Sequence, residues 1–164
     1  MTEAAKKVSE SRITLSLVMG PEHANFLGNV HGGVIMKLCD EAGGMAGSRH
    51  AGTSVVTVVV DSMEFHSPVF IGQLMTVAAE VTWVGRTSIE TRVVVRAENV
   101  ITGEVTHTNT AYFVYVALGE NGRPTPVPGL VCETDEQKRR KEQAQERRAF
   151  RLKQSQQDKP ISNV

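Results

Sequence analysis

The sequence predicts an α+β fold in which five antiparallel strands form one sheet around a single long helix. Three observations predict it: one stretch of residues 1–130 has a helical pattern, five stretches have a β pattern, and the strands after the helix follow one another through short turns. A parallel crossover needs a dozen or more residues, so these neighbouring strands must be antiparallel. The 164 residues suffice for one domain with a proper core.

Five stretches of β pattern give the predicted strands, which cover residues 11–19, 53–66, 74–84, 88–98 and 105–118. The first alternates apolar and polar residues, which is typical of a strand buried on one face. The second contains Val55–Val60, whose density of β-branched residues predicts a buried central strand. Tight turns at Gly85 and Gly103 separate the last three strands.

The predicted helix begins near Gly33 and has two distinct faces. At about 100° per residue its apolar residues form one stripe that packs on the sheet: Val34, Ile35, Leu38, Ala42, Met45 and Ala46. Asp40 falls roughly opposite this stripe, beside Met36, Gly43 and Gly47, with Gly44 nearby. A glycine inside a helix costs up to about 1 kcal/mol relative to alanine. The glycine-lined face therefore predicts the close approach of a ligand or another backbone, and we infer a subunit partner.

Charge and hydropathy exclude some functions. The formal net charge is zero, but residues 1–132 carry nine Lys and Arg against twelve Asp and Glu, and residues 133–164 carry nine against six. An acidic body argues against nucleic-acid binding. No stretch approaches the roughly 18 apolar residues of a membrane span, and the N-terminus lacks a signal-peptide pattern. We therefore expect a cytoplasmic protein without membrane insertion. Cys39 and Cys132 have no metal-ligand spacing, which predicts two reduced thiols.

The chain divides into three predicted parts: an N-terminal lead at 1–10, the sheet-and-helix domain at 11–130, and a charged C-terminal extension at 131–164. Helix-forming residues run from Glu136 to Lys153 in the extension. A solvated helix is the simpler interpretation. The alternative is a helix that docks on a neighbouring subunit or brings positive charge near a phosphate.

Four motifs resemble those of the hotdog-fold acyl-CoA thioesterases of the cytosolic acyl-CoA hydrolase type. They are Asn25–Gly33, Asp40–Gly44, Val60–Pro68 and Val84–Ser88, and the resemblance covers roughly residues 10–128. It implies a sheet wrapped on a central helix, a homodimer with one continuous sheet, and often three dimers in a hexamer. It also implies hydrolysis of fatty acyl-CoA to free acid and coenzyme A at the dimer interface.

The resemblance further implies that Asn25 and Asp40, from opposite subunits, form the catalytic pair. Asp40 is the candidate general base on water, or a nucleophile that forms an anhydride, and the residues leave both routes open. Gly32 and Gly33 stand where free N–H groups at the helix start would stabilise an oxyanion. We interpret His31 as a positioning residue rather than the base, although histidine titrates near neutrality.

A candidate coenzyme A contact lies in the turn formed by Gly85, Arg86, Thr87 and Ser88, which supplies a cation, two hydroxyls and N–H groups that suit phosphates. Arg49 is a second candidate. The remaining histidines lack metal-site spacing, and we expect no cofactor because coenzyme A is part of the substrate. A hotdog-fold hydratase or dehydratase, and a non-catalytic acyl-CoA-binding regulator, are the alternative functions.

Overall fold

The computed structural model describes residues 4–157. The predicted lead and extension also include residues 1–3 and 158–164, which lie outside the described residues. The elements in chain order are β1 (Lys6–Lys7), α1 (Val8–Ser11), β2 (Ile13–Val18), a 3₁₀ turn (Pro21–His23), α2 (Gly32–Ala51), β3 (Val55–Phe65), β4 (Leu74–Val84), β5 (Ser88–Asn99), β6 (Glu104–Ala117), β7 (Leu130–Val131) and α3 (Asp135–Gln157).

The main sheet has five antiparallel strands in the order β2-β4-β5-β6-β3, and α2 packs against the strands of this sheet. The predicted hotdog architecture, one sheet around one long helix, is confirmed. The core between helix and sheet is made by apolar residues of α2, β4, β5 and β6, among them Ile35, Cys39, Ala42, Ala46, Val77, Val93, Val95, Phe113 and Tyr115. Among residues 4–157, every helix is too short or too polar to cross a membrane.

Strand β3 lies at the edge of the sheet, so the prediction of a central strand is wrong for the single chain. Only β6 pairs with β3. Val56, Val58 and Val60 remain 42%, 51% and 46% exposed. The β-branched run indicates burial on both faces, and within residues 4–157 only one side of the strand has a pairing partner.

The prediction that the glycine-lined face of α2 meets a partner is also wrong for two of its glycines. Gly43 and Gly47 are buried, and the nearest atoms to a β-carbon built on either come from β-strand residues of the same chain, among them Tyr115. Met45, placed by periodicity on the buried stripe, is 41% exposed. The buried side of α2 is therefore rotated toward the glycines relative to the predicted apolar stripe.

The N-terminal residues form a small second sheet, which the sequence patterns did not predict. Strand β1 pairs in parallel with β7, and Lys6 is opposite Leu130. His50, near the end of α2, is fully buried between these segments: Nδ1 is 3.1 Å from Ser11 Oγ and Nε2 is 3.0 Å from the Pro128 carbonyl. One side chain thus joins α1, α2 and the proline-rich segment.

Helix α3 docks on the chain's own sheet, so the interpretation of the extension as a solvated helix is wrong over its inner face. Ala144 is 0% exposed. Arg147 donates to Glu90 at 2.7 Å, and its guanidinium carbon lies 3.8 Å from the centre of the Tyr112 ring. Arg151 pairs with Asp61. Charged side chains, rather than an apolar stripe, therefore hold this helix.

Candidate active site

Asp40 lies in the middle of α2, where the helix faces β3 and β6. Its side chain is half-buried and borders a cavity of about 500 Å³, which is also lined by Glu41, Gly44, Met45, Ser48, Val55, Thr57 and Tyr115. The carboxylate therefore has one side against the core and one side open to a space large enough for part of a ligand.

Two hydroxyl groups hold one oxygen of this carboxylate. Thr57 Oγ1 donates to Asp40 Oδ1 at 2.7 Å. The Tyr115 hydroxyl is 3.2 Å from the same Oδ1 and 3.0 Å from the Asp40 main-chain carbonyl. Within residues 4–157, Asp40 Oδ2 accepts no hydrogen bond. The arrangement fixes the carboxylate and leaves its second oxygen able to accept a proton or to attack a carbonyl carbon.

Thr57 and Tyr115 were missed by the sequence reasoning. Thr57 is the one polar residue of Val55–Val60, which was a usable signal. Nothing in the sequence marked Tyr115, because only the register of the sheet brings it beneath Asp40. Thr57 and Ile89 are both register partners of Tyr115, so the three strands meet at the level of the carboxylate.

Asn25 lies in the loop before α2 and organises that loop. Its Oδ1 accepts from the N–H groups of Leu27 at 2.9 Å and Asn29 at 3.1 Å. Within the described chain its Nδ2 group donates no hydrogen bond. The oxygen thus serves the turn and the nitrogen remains available, but no hydrogen bond or cavity lining joins Asn25 to Asp40 in the part of the chain that the structure describes.

His31 is the N-cap of α2: its Nδ1 accepts from the Gly33 N–H at 2.9 Å. The prediction of a free Gly33 N–H group is therefore wrong, because the histidine satisfies it. The Gly32 N–H has no partner within residues 4–157 and lies at the positive end of the helix. Gly32 also lines a cavity of about 220 Å³ with Phe65 and His66.

The turn between β4 and β5 keeps its predicted polar groups exposed or half-buried. The prediction of free N–H groups in this turn is wrong for Gly85, which donates its N–H to the Ser88 carbonyl at 2.8 Å. The Arg86 carbonyl accepts from Val127 at 3.0 Å. No side-chain hydrogen bond or ion pair involves Arg86, Thr87 or Ser88 among residues 4–157, so these groups are free to bind an anion. The turn directly precedes Ile89, which pairs with Tyr115, so it lies near the level of Asp40.

Arg49 is already engaged within the chain. Its guanidinium donates to the Arg12 carbonyl at 2.5 Å, and its own carbonyl accepts from Lys6 at 3.2 Å. These contacts join α2 to the N-terminal segment, so Arg49 has a structural role.

Cys39, next to Asp40, is buried on the core side of α2. Burial, together with the charge of the neighbouring Asp40, raises the pKa of the Cys39 thiol to about 12. The thiol is therefore protonated at neutral pH and is not a nucleophile.

Several known proteins are similar to this chain in both sequence and fold. Residues 27–104 match the family model described as Thioesterase superfamily. The chain is 38% identical to the cytosolic acyl coenzyme A thioester hydrolase of Rattus norvegicus over 85% of its own length, but it spans only 37% of that protein. It is 36% identical to the uncharacterized acyl-CoA thioester hydrolase YkhA of Bacillus subtilis, covering 83% of this chain and 79% of that one.

Among solved structures, an apo-hexameric acyl-CoA thioesterase superposes with a TM-score of 0.90 at 35% identity, covering 93% of this chain and 97% of that one. At this identity and coverage, sequence and fold agree on one assignment. The chain belongs to the thioesterase superfamily.

Proposed function

We propose that the chain is an acyl-CoA thioesterase, which hydrolyses fatty acyl-CoA to free fatty acid and coenzyme A. The observation that carries this proposal is the Asp40 carboxylate, which is held through Oδ1 and bordered by a cavity of about 500 Å³. In the proposal, Oδ2 removes a proton from the attacking water, or attacks the thioester carbonyl itself. Neither route needs a metal or a cofactor.

The oxygen of the thioester carbonyl, which becomes an oxyanion during the reaction, needs hydrogen-bond donors. We assign this role to the Asn25 amide and the Gly32 N–H of a second protomer. Gly32 precedes Asp40 by eight residues, which is about 12 Å along a helix. Within one chain the Gly32 N–H is therefore too far from Asp40 to share a reacting carbonyl. Two protomers that place the start of one α2 beside the middle of the other would bring the donors and the carboxylate together.

The exposed edge strand supports pairing of two protomers through β3. An edge strand of 11 residues with three valines 42% to 51% exposed invites pairing with another chain. Pairing of β3 with its copy would extend the sheet continuously and cover these valines. It would also bring Thr57, which holds Asp40, to the interface. We further propose a trimer of dimers, supported by the similar thioesterase that is hexameric.

Coenzyme A binding is assigned to the turn formed by Gly85, Arg86, Thr87 and Ser88. The proposal is supported by the Arg86 guanidinium, which is exposed and makes no ion pair within residues 4–157, and by two hydroxyls beside it, which suit a phosphate or pyrophosphate. We also place the reaction in the cytoplasm, supported by the word cytosolic in the name of the rat relative.

The test is thiol release from a panel of C2 to C20 acyl-CoA substrates by the wild-type chain and two variants. Asp40→Asn should lose roughly a hundredfold or more of kcat while binding coenzyme A as before, because only the proton acceptor is removed. Glu142→Gln is the control, since Glu142 is exposed on α3 and is not among the residues that line the cavity. Full activity of Asp40→Asn would refute the role of Asp40.

Two other outcomes would refute the hydrolase itself. Saturable acyl-CoA binding with no turnover across the panel would make the chain a binding regulator. Conversion of an enoyl-CoA or hydroxyacyl-CoA without thiol release would make it a hydratase or dehydratase.

A further inference from the structure

We propose that Tyr115, supported by Thr91, is a positioning residue that holds the Asp40 carboxylate in the orientation used for hydrolysis. The proposal rests on the function proposed above, in which Asp40 accepts a proton or attacks the thioester. It adds a second donor, from the buried strand β6, to the Thr57 donor on edge strand β3, and both residues line the cavity beside Asp40.

The Tyr115 hydroxyl contacts both the main chain and the side chain of Asp40. It is 3.0 Å from the main-chain carbonyl oxygen and 3.2 Å from Oδ1. The tyrosine is 1% exposed and packs in the main core, near the ring of Phe113. Because the core fixes the phenol ring, the hydroxyl fixes the rotamer of Asp40 relative to the sheet.

The phenol stays a donor over the whole range of physiological pH. Burial raises the pKa of the Tyr115 hydroxyl, and the charge of Asp40 and the hydrogen bond to it raise the pKa further. A protonated hydroxyl that donates to a carboxylate stabilises the ionised form of that carboxylate. Tyr115 therefore remains a hydrogen-bond donor to the Asp40 carboxylate.

Gly43 makes this contact possible. A β-carbon built at Gly43 would lie 2.5 Å from the Tyr115 hydroxyl oxygen and 2.7 Å from Thr91 Oγ1, which no real β-carbon tolerates. A glycine in the middle of a helix costs about 1 kcal/mol relative to alanine. The close approach of the phenol to α2 gives a physical reason for placing a glycine at this position.

Thr91 extends the arrangement one step into the sheet. It is 0% exposed, and its hydroxyl makes no hydrogen bond of regular geometry within residues 4–157. Its oxygen and the phenol oxygen nevertheless both lie close to a β-carbon built at Gly43, and the influence of Thr91 lowers the pKa of Tyr115 against the larger effects of burial and charge. A phenol oxygen that accepts from Thr91 has its own hydrogen left for Asp40, and such chained bonds strengthen one another.

The experiment compares Tyr115→Phe with Tyr112→Phe in the full-length protein. Tyr112 lies on the same strand but against Arg147, away from Asp40. We expect Tyr115→Phe to lower kcat about tenfold with KM changed less than twofold, and the acid limb of the pH profile of kcat to move to higher pH by about half a unit or more. Tyr112→Phe should leave kcat, KM and the acid limb of the pH profile unchanged.

Thr91→Val keeps the side-chain shape and guards against a folding defect in the tyrosine variant. It should move the acid limb in the same direction by a smaller amount. Wild-type kcat and pH profiles in Tyr115→Phe, or an unshifted profile in Thr91→Val where Tyr115→Phe fails to fold, would overturn the inference.

Asp40→Asn separates this inference from the proposed function. Loss of turnover in Asp40→Asn together with an unaffected Tyr115→Phe would refute only the positioning role. Retained turnover in Asp40→Asn would refute the proposed role of Asp40 and the positioning role with it.

Discussion

Thr57 Oγ1 and Asp40 Oδ1 are joined by a 2.7 Å hydrogen bond, which links edge strand β3 to the central helix α2. Thr57 is exposed, and it lies on the strand whose free edge is proposed to meet a second protomer. The carboxylate is therefore held from the side where the active site would be completed. Assembly and catalysis would depend on the same strand.

Removal of the Thr57 hydroxyl should slow hydrolysis without unfolding the protein. Thr57→Val keeps a β-branched side chain in the strand, so the free energy of unfolding should change little. Loss of one hydrogen bond to a charged group, typically about 1.5 to 3 kcal/mol, should lower kcat/KM by about tenfold or more. Thr57→Ser keeps the donor and should retain most of the activity. Equal activity in the Val and Ser variants would contradict the role of the hydroxyl.

The capping role of His31 predicts a loss of stability rather than a loss of chemistry. His31→Ala removes the acceptor for the Gly33 N–H, and such N-cap losses cost about 1 kcal/mol. His31→Asn offers another good N-cap acceptor and should restore the urea midpoint. Because His31 is not assigned as the base, His31→Asn should also keep kcat within a few-fold of the wild type. A stable His31→Asn variant without turnover would instead assign His31 to the chemistry.

The contacts of Glu90 with α3 predict that this residue holds the helix on the sheet. Its carboxylate is 0% exposed and accepts from Thr82 at 2.8 Å and from Arg147 at 2.7 Å. Glu90→Gln removes the carboxylate nearest to Arg147 and leaves it only Asp61, at 3.9 Å. We therefore expect a loss of about 2 kcal/mol of unfolding free energy and faster hydrogen exchange in Asp135–Gln157. Glu142→Gln, an exposed change on the same helix, is the control. Unchanged exchange in α3 would show that Glu90 does not hold it.

His50 predicts that stability falls as the pH falls below about 6.5. Burial lowers the pKa of His50, and the hydrogen bond to the Pro128 carbonyl opposes this only in part. Above the pKa of His50 in the unfolded chain, the folded and unfolded states both carry a neutral imidazole, so the contribution of His50 to stability does not change with pH. Below it the unfolded chain binds a proton that the folded chain resists, so stability declines by up to about 1.4 kcal/mol per pH unit.

Urea midpoints measured from pH 8 to 5.5 test this prediction. His50→Gln should flatten the dependence, whereas His66→Gln, a change at a half-exposed histidine, should not. A wild-type midpoint that stays constant or rises as the pH falls would contradict the assignment to His50.

The elements of the fold were predictable because their signals are local. The β patterns of five stretches, the turns between them and the 3.6-residue period of α2 were sufficient to give one helix and five strands. The position of β3 was not predictable, because a run of valines indicates burial and does not say which chain provides it. The docking of α3 was missed for a similar reason: its contacts are ion pairs with Glu90 and Asp61, which leave no apolar period in the sequence.

The candidate active site was predictable only in part. Asp40 stood out because it shares a helix face with glycines, but the reason for Gly43 was the approach of Tyr115 from a strand 75 residues away. Contacts of that kind depend on strand register, which a single sequence does not reveal. The prediction of a free N–H at Gly33 was wrong because His31 caps the helix. That contact depends on the rotamer of His31, which the sequence does not reveal.

The sharing of one active site between two protomers is tested most directly by mixing two inactive variants. Asn25→Ala and Asp40→Ala are each expected to be inactive alone, and unfolding and refolding them together would give mixed dimers. Half of randomly paired dimers are mixed, and each would combine one intact Asn25 with one intact Asp40 from the other chain. The account predicts recovery to about a quarter of wild-type thiol release. No recovery in dimers verified as mixed would contradict it.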